Sequence, residues 1–454
     1  MYNLCKVKNN KLPVLSWGDM KQVGAKLGYA VIIALALLPC IYLLYIERAL
    51  FSADFNYLMR LAGRLSALFG TALFALAFLL NTRIKFLEDL FGGMDKMYRA
   101  HHIFGTVAFL SLLLHPLFLA GTYAALSVAA AASFLFPGAS FVNDLGIYGL
   151  FTMELFLIFT FFARTMAKYQ NWKFVHRLLG LSFILGSLHV LLVSSDVRTN
   201  AFMRYYMVLV VLVGLLSYVY RTLFWRRLVK QYSYNVSAVK PLGSAITELL
   251  MSPEKDSVSF LPGQFIFISI ESEIANREQH PFTISSAPAD RTLRLSIKNL
   301  GDYTSGIGSV ASGTKVKIEG PYGRFCPSYY SGKAQLWIAG GIGITPFLSM
   351  VRSIEKYPTN SRIDLYYCTR DTGEAVFLPE LMAISEKNKN LNVISFCSMK
   401  KGRINAGFIE ASSKDLKEKE IFICGPATMM ADLKAQFIKM GVSRASIHLE
   451  EFEL

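Results

Sequence analysis

HHIFGTVAFLSLLLH, residues 101–115, is an apolar run with histidine at both ends, and HRLLGLSFILGSLH, residues 176–189, repeats the arrangement. The chain has seven histidines, and five of them (His101, His102, His115, His176 and His189) fall in these two runs. A rise of 1.5 Å per residue sets helical histidines 13 or 14 positions apart roughly 20 Å from one another. Fourteen residues is also close to four whole turns, so both rings point to the same side. Two such helices facing each other offer two tiers of opposed imidazoles, which suits two haems with histidine at both axial positions. His115 and His189 would hold one. His176 and a residue near the start of the first run would hold the other. His101 precedes Gly105 by four, as His176 precedes Gly180. His101 is therefore taken as the ligand, and His102, rotated by about 100°, faces elsewhere.

The rest of the N-terminal half supplies a membrane around these helices. The 454 residues are 53% hydrophobic, too apolar for an ordinary soluble enzyme of this length. Spans need about 20 mostly apolar residues. Six stretches qualify, at about 27–46, 63–82, 100–122, 145–163, 175–194 and 203–223. The first has a basic lead and no small-residue cleavage site, so it reads as an anchor, not a signal peptide. Lys and Arg gather before the first span (Lys6, Lys8, Lys11, Lys21, Lys26), after the second (Arg83, Lys85, Lys96, Arg99), after the fourth (Arg164, Lys168, Lys173) and after the sixth (Arg221, Arg226, Arg227, Lys230). Positive-inside logic places the N-terminus and the C-terminal half in the cytosol of a multi-pass cell-membrane protein.

The net charge of +15 is explained by this topology. The basic residues form no aromatic-interleaved patch of the kind nucleic acids need. Six cysteines without CxxC spacing suggest neither a zinc site nor a disulfide framework. Intramembrane carboxylates are scarce, Glu154 being the main one, which argues against a channel or transporter.

From Tyr232 the pattern changes. Short β-rich runs (FLPGQFIFISI, LRLSIKNL, TKVKIEG) predict a small antiparallel barrel to about residue 328, with GPYGRF (320–325) as a closing turn. LWIAGG, IDLYYCT, NVISFC and EIFICG then alternate with helical stretches, the mark of a doubly wound parallel sheet. The predicted organisation is a cytosolic segment 1–26, a six-span haem domain 27–225, a barrel 226–330 and a nucleotide-binding domain 331–454.

In the barrel, HPFTISSAP (280–288) offers an aromatic ring and hydroxyls at a strand end where a flat cofactor can lie. In AGGIGITPFLSM (339–350) a strand turns through Gly340, Gly341 and Gly343 into a helix opening at Thr345 and Pro346, a site for a pyrophosphate. ICGP, with Cys424, Gly425 and Pro426, ends the last strand beside it. Arg370 and Arg403 are candidates for an additional phosphate, and solvated surface charge is the plain alternative for both.

Taken together, HPFT, GGIGITPF, the arginine after YYCT, CGP and the terminal HLEEF stand in the order of the NADPH oxidase and ferric reductase superfamily, which this chain resembles over nearly its whole length. The resemblance implies a ferric-reductase-like bundle joined to a ferredoxin-NADP reductase module. It implies FAD held by His280, Pro281, Phe282, Thr283, Ser296, Lys298 and Thr304, with Phe452 covering the isoalloxazine. It also sets Arg64 beside the outer haem. Thr283, Cys424, Phe452 and Arg64 are then the candidate catalytic residues. Leu119 stands where the oxidases tend to carry a further histidine, and Phe452 is followed by two more residues.

The expected function is electron transfer from cytosolic NADPH through FAD and two b-type haems to dioxygen outside, giving superoxide. A ferric-chelate reductase with the same conduit is the alternative, and a cytochrome subunit relaying electrons to a partner is a third reading. With 26 residues before the first span and no calcium-binding or docking segment, no obligatory activator subunit is expected.

Overall fold

The computed structural model describes residues 17–450 other than 125, 139, 167–168, 194, 273–277, 328–332 and 358. The expectations for Phe452 and for residues 1–16 of the N-terminal segment lie outside the described residues. Two compact units divide the chain, one covering Gly24–Leu228 and the other Val229 onward.

The first unit contains six helices long and apolar enough to cross a bilayer: Lys26–Glu47, Phe55–Leu80, Met94–Ala124, Phe141–Phe162, Asn171–Val193 and Ala201–Leu228. The second begins eight residues before the expected 63. Asp54 caps it, accepting from the Tyr57 N–H at 3.1 Å, and the polar turns that carry Asn56, Arg60 and Arg64 extend the helix past its apolar window. The fifth is broken at Leu178 into Tyr169–Arg177 and Leu179–Val193, so His176 and His189 sit on separate segments.

The second and third spans pack closely as neighbours, and so do the fourth and fifth. Gly149 makes the latter contact possible, since a Cβ there would stand 3.1 Å from the Gly186 nitrogen. The sixth span packs on the second. By contrast, the third and fifth spans, which carry the histidines, make no extensive helix–helix contact among the described residues. Outward side chains such as Leu110, Phe159 and Leu216 are exposed, as a lipid-facing belt requires.

The second unit has two lobes. In the first, β1 (Gln231–Leu242), β2 (Ile246–Pro253), β3 (Phe265–Ile270), β4 (Gln279–Thr283), β5 (Leu293–Lys298) and β6 (Lys315–Tyr322) form an antiparallel sheet in the order β4-β3-β6-β1-β2-β5. An Ile284–Leu295 bridge brings its two edges together, which closes the expected barrel. Alternate residues of β5 (Leu293, Leu295, Ile297) point into its core. The expected turn GPYGRF is part strand: Gly320, Pro321 and Tyr322 end β6, and Tyr322 pairs with Phe265 of β3.

The second lobe is a parallel sheet of β7 (Gln335–Gly340), β8 (Ile363–Thr369), β9 (Leu391–Cys397), β10 (Glu420–Cys424) and β11 (Ile447–Glu450), ordered β11-β10-β7-β8-β9. The four expected strands are present. β11 is additional, too short and too charged to read from its sequence. The order reverses between β7 and β10, and open sheets bind ligands in the crevice at such a switch point.

Candidate cofactor and nucleotide sites

In the bundle, His101 lies opposite His176 with ring centroids 6.1 Å apart, and His115 lies opposite His189 at 6.4 Å. A metal–imidazole bond is about 2 Å long, so two imidazoles on one iron hold their centroids roughly 6 Å apart. Both tiers therefore fit a shared metal. Among the described residues no group of three or more His, Cys, Asp or Glu is placed to hold a metal ion. An ion at either tier would have to bring its remaining ligands with it, as the iron of a porphyrin does.

Nδ1 of His101 donates to the Ala77 carbonyl at 2.8 Å, Nδ1 of His115 to the Gly63 carbonyl at 2.7 Å, and Nδ1 of His189 to the Val142 carbonyl at 2.8 Å. A carbonyl only accepts, so Nε2 keeps its lone pair, which is how ligating histidines are usually fixed. His176 differs. Its Nδ1 is buried without a partner, and its ring stacks on Trp172 at 5.4 Å. Gly146 admits the His189 ring, which a Cβ there would meet at 2.8 Å. Gly105 and Gly186 face open space within 4 Å, room that a flat ligand between the spans can use. His102 is exposed and lies near Thr106.

Arg64, which the resemblance sets beside the outer haem, is ion-paired: its guanidinium donates to Glu47 at 2.9 Å and makes a bidentate contact with Asp196, with Nε at 2.8 Å from Oδ2. Two carboxylates around one cation leave no net positive field. Sequence separations of 17 and 132 residues carry no periodic signal that could have announced these partners.

In the barrel, β4 alternates. His280 and Phe282 share one face, while Thr283 is buried with its hydroxyl unpartnered. The His280 ring stacks on Tyr303 at 3.8 Å, its Nε2 lies 3.1 Å from Glu278, and Phe282 is nearly parallel to Tyr303. Burial, and then the charge of Glu278, push the Tyr303 hydroxyl far above its ordinary range, so it stays a neutral donor, buried and without a partner. An aromatic surface with two orphaned hydroxyls fits a flavin. Tyr303 was missed in the sequence, although it directly precedes Thr304 in a glycine-flanked turn. Thr304 itself spends its hydroxyl on the loop, accepting from Leu300 and Gly301. Ser296 donates to Ser285 at 3.1 Å and shares a face of β5 with half-buried Lys298 and with Arg294, whose Nε is buried and unpartnered. Arg294 is a second residue that the sequence reading missed.

At the switch point the glycines have separate reasons. Gly343 presses on the end of β10, where a Cβ would stand 2.3 Å from the Cys424 carbonyl oxygen. Gly340 and Gly425 are similarly crowded by Met429 and each other. Gly341 alone of these has a positive φ, +54°, with open space beside it, so it is the position at which a ligand can approach the backbone. Thr345 donates to the Ile342 carbonyl, and Pro346 sits in the first turn of the helix Thr345–Lys356. Cys424 is fully buried, and burial holds its thiol well above the ordinary range. Its thiol is thus held neutral at the end of β10, beside Gly343.

Arg370 and Arg403 are exposed beyond β8 and β9. The Arg370 carbonyl accepts from the Met399 N–H at 3.1 Å, which brings the loops after both strands together. Lys400 joins them there, near enough that its charge adds to the Gly373 and Thr372 hydrogen bonds that lower the Asp371 pKa. Arg370 and Lys400 thus lie on loops that meet, and Arg403 follows Lys400 by three residues.

Residues 62–187 match the family described as ferric reductase like transmembrane component, 231–325 the FAD-binding domain, and 337–435 the oxidoreductase NAD-binding domain. Flavohemoprotein A of Dictyostelium discoideum is 26% identical over 214 residues, 44% of this chain and 54% of that protein. NADPH oxidase 3 of Rattus norvegicus is 28% identical over 177 residues, 35% of this chain and 30% of that one. The chain spans about half the length of most curated relatives it matches. A flavohemoglobin from Malassezia yamatoensis, solved with bound FAD and heme, superposes with a TM-score of 0.50 at 15% identity, covering 88% of this chain and 99% of that one, a likeness of fold alone.

Proposed function

From an oxidoreductase that joins a ferric-reductase-like transmembrane component to FAD- and NAD-binding domains, we propose that the chain carries electrons from cytosolic NADPH through FAD and two b-type haems to dioxygen outside, producing superoxide. The observation that carries this reading is the pair of histidine tiers, each spaced for one shared iron. When bound, FAD would convert a two-electron hydride into single electrons and haem would relay them one at a time.

The protein's own part is to hold and orient. His101 with His176 would hold one haem, and His115 with His189 the other. His280, Phe282 and Tyr303 would give the flavin an aromatic bed, and the unpartnered Thr283 hydroxyl would be free to bond it. Arg294, Ser296 and Lys298 line the face for its phosphates, and Phe452 is assigned the cover over the ring. Gly341 and the helix opening at Thr345 receive the nicotinamide nucleotide's pyrophosphate. Arg370, Lys400 and Arg403 grip its 2′-phosphate. The lysine and arginine distribution sets this unit in the cytosol, and no activator subunit is required.

A ferric-chelate reductase would use the same conduit. Because Glu47 and Asp196 neutralise Arg64, this residue lends no fixed positive charge to an anionic product. The acceptor is therefore decided by kinetics. Purified protein with FAD and no second polypeptide should oxidise NADPH faster in air than under nitrogen, with superoxide-dismutase-sensitive dye reduction. Slow oxidation in air that becomes fast with ferric chelate, without superoxide, would transfer the assignment to metal reduction. A haem content near one per chain would remove the two-tier conduit altogether.

A further inference from the structure

One helix of the soluble unit touches both candidate cofactor sites. Thr345–Lys356 opens directly after the turn Gly341–Ile344 that faces the nucleotide. From its body Ser349 donates to the Ser286 carbonyl at 2.7 Å, and Arg352 Nη1 donates to the Ser285 carbonyl at 2.7 Å. Ser285 and Ser286 follow Thr283 by two and three residues, so these bonds grip the strand end that carries the flavin candidates. Lys356 pairs with Asp290 farther along the same segment. Positions 349, 352 and 356 lie on one face of the helix.

Arg352 is the centre of this contact. Its side chain is 6% exposed, and Nε and Nη2 reach Glu380 at 2.6 and 2.8 Å. Nη2 also lies 3.5 Å from Glu248 of β2, itself 8% exposed. One planar guanidinium thus binds the barrel at two points and the nucleotide lobe at a third. An apolar residue would fill this space without fixing direction, whereas a fork of charged donors holds one geometry.

We propose that Arg352 is a positioning residue for hydride transfer, locking the nucleotide turn in register with the flavin strand. The proposal rests on the NADPH-to-FAD reading above. In that step the dihydronicotinamide loses a hydride, becoming oxidised, and the flavin gains both electrons and the hydrogen, so no further reactant is needed. A misplacement of about 1 Å in such a reaction costs on the order of a hundredfold in rate.

The test is anaerobic stopped-flow reduction of bound FAD by NADPH in the full chain, with rates expressed per FAD. The long-wavelength absorbance of the nicotinamide–flavin contact and the affinity for NADP⁺ are measured alongside. Arg352→Gln should slow reduction on the order of a hundredfold and weaken that absorbance, while NADP⁺ affinity and FAD content stay near wild type. Arg352→Lys should recover part of the rate, because it keeps the charge but not the fork. Ser349→Ala, which removes one neutral hydrogen bond, should slow reduction about threefold. A wild-type rate per FAD in Arg352→Gln overturns the proposal. If that variant fails to fold or bind FAD, a wild-type rate in Ser349→Ala overturns it instead. Wild-type protein whose FAD is not reduced by NADPH would sink the underlying reading, a result distinguishable from any change confined to the variants.

Discussion

In the bundle, three of the four tier histidines are held by main-chain carbonyls, while the soluble unit fixes its parts with buried charge. Arg352 lies between Glu380 and Glu248, and Lys419 reaches Asp364 at 2.7 Å. The difference follows from the solvent. A charge inside a bilayer is expensive, whereas helix carbonyls are present already and can accept a second bond. The charged cluster Arg64–Glu47–Asp196 joins the end of the first span and the short helix Ser195–Thr199 to the polar opening turns of the second span. In water-facing lobes a paired charge is tolerable, and its directionality aligns the strands.

The largest effect should come from breaking the bundle's side of this contrast. His115→Ala or His189→Ala should lower haem from about two per chain to about one, as should His101→Ala or His176→Ala at the other tier. Flavin reduction by NADPH should survive in all four. Loss of flavin reduction in any of them would mean that the two units do not keep their sites independently.

The module's side is tested with acid. Burial opposes the charge of Asp364, but hydrogen bonds from Lys419 and Asn392 outweigh it and hold its pKa below the ordinary value. A depressed pKa gives stability that is present above the unfolded value of about 3.9 and is lost as pH falls through the folded one. The soluble unit should therefore lose stability in that acid window. Asp364→Asn leaves Lys419 buried and uncompensated and should cost about 3–5 kcal/mol near neutral pH. Unfolding monitored by flavin release would show it, and an unchanged midpoint would deny the ion pair its role.

Charge in the module should also choose the nucleotide. Arg370→Ala should cut the ratio of kcat/KM for NADPH over NADH about tenfold, the loss of one charged hydrogen bond, with Arg403→Ala and Lys400→Ala acting in the same direction. Equal ratios in wild type and variants would return all three residues to the solvated surface.

The smallest effect should separate the two tiers. Both imidazoles of the His115–His189 tier donate to carbonyls, which enriches their metal-binding nitrogens, whereas His176 has only the Trp172 stack. The His115–His189 centre should have the lower reduction potential. Gly146→Ala, pressing on His189, should move that centre alone, and Trp172→Ala the other, each by no more than about 60 mV, a tenfold change for one electron. Potentiometric titration with a single wave, or both waves moving together, would remove the asymmetry.

The features legible in the sequence were those written in a short period. Histidines 13 or 14 apart are visible because a helix repeats every 3.6 residues, and β7 to β10 are visible as apolar runs ending in Gly, Thr or Cys. What escaped depends on distant partners. Nothing near Arg64 announces Asp196, nothing near Arg352 announces Ser285, and Lys400 gains meaning only when the loops after β8 and β9 meet. Tyr303 was hidden differently: an aromatic in a glycine-flanked turn resembles many loops until His280 is found stacked on it. The second span's early start also lay beyond any apolar window, because it is set by a cap and not by lipid.

The open lane between the third and fifth spans bears on how the molecule is made. The second and third spans form one closely packed hairpin and the fourth and fifth another, while the histidine-bearing helices reach across to each other through ring tips. On the two-haem reading, a nascent chain inserted before its porphyrins arrive would join the two hairpins through the second, fifth and sixth spans, by contacts such as Phe78 on Phe183, and leave the lane between the histidine helices unfilled. On the proposed reading haem would then fill that lane as well as conduct, and cellular yield should follow haem biosynthesis, with precursor-starved cells clearing the polypeptide through membrane quality control.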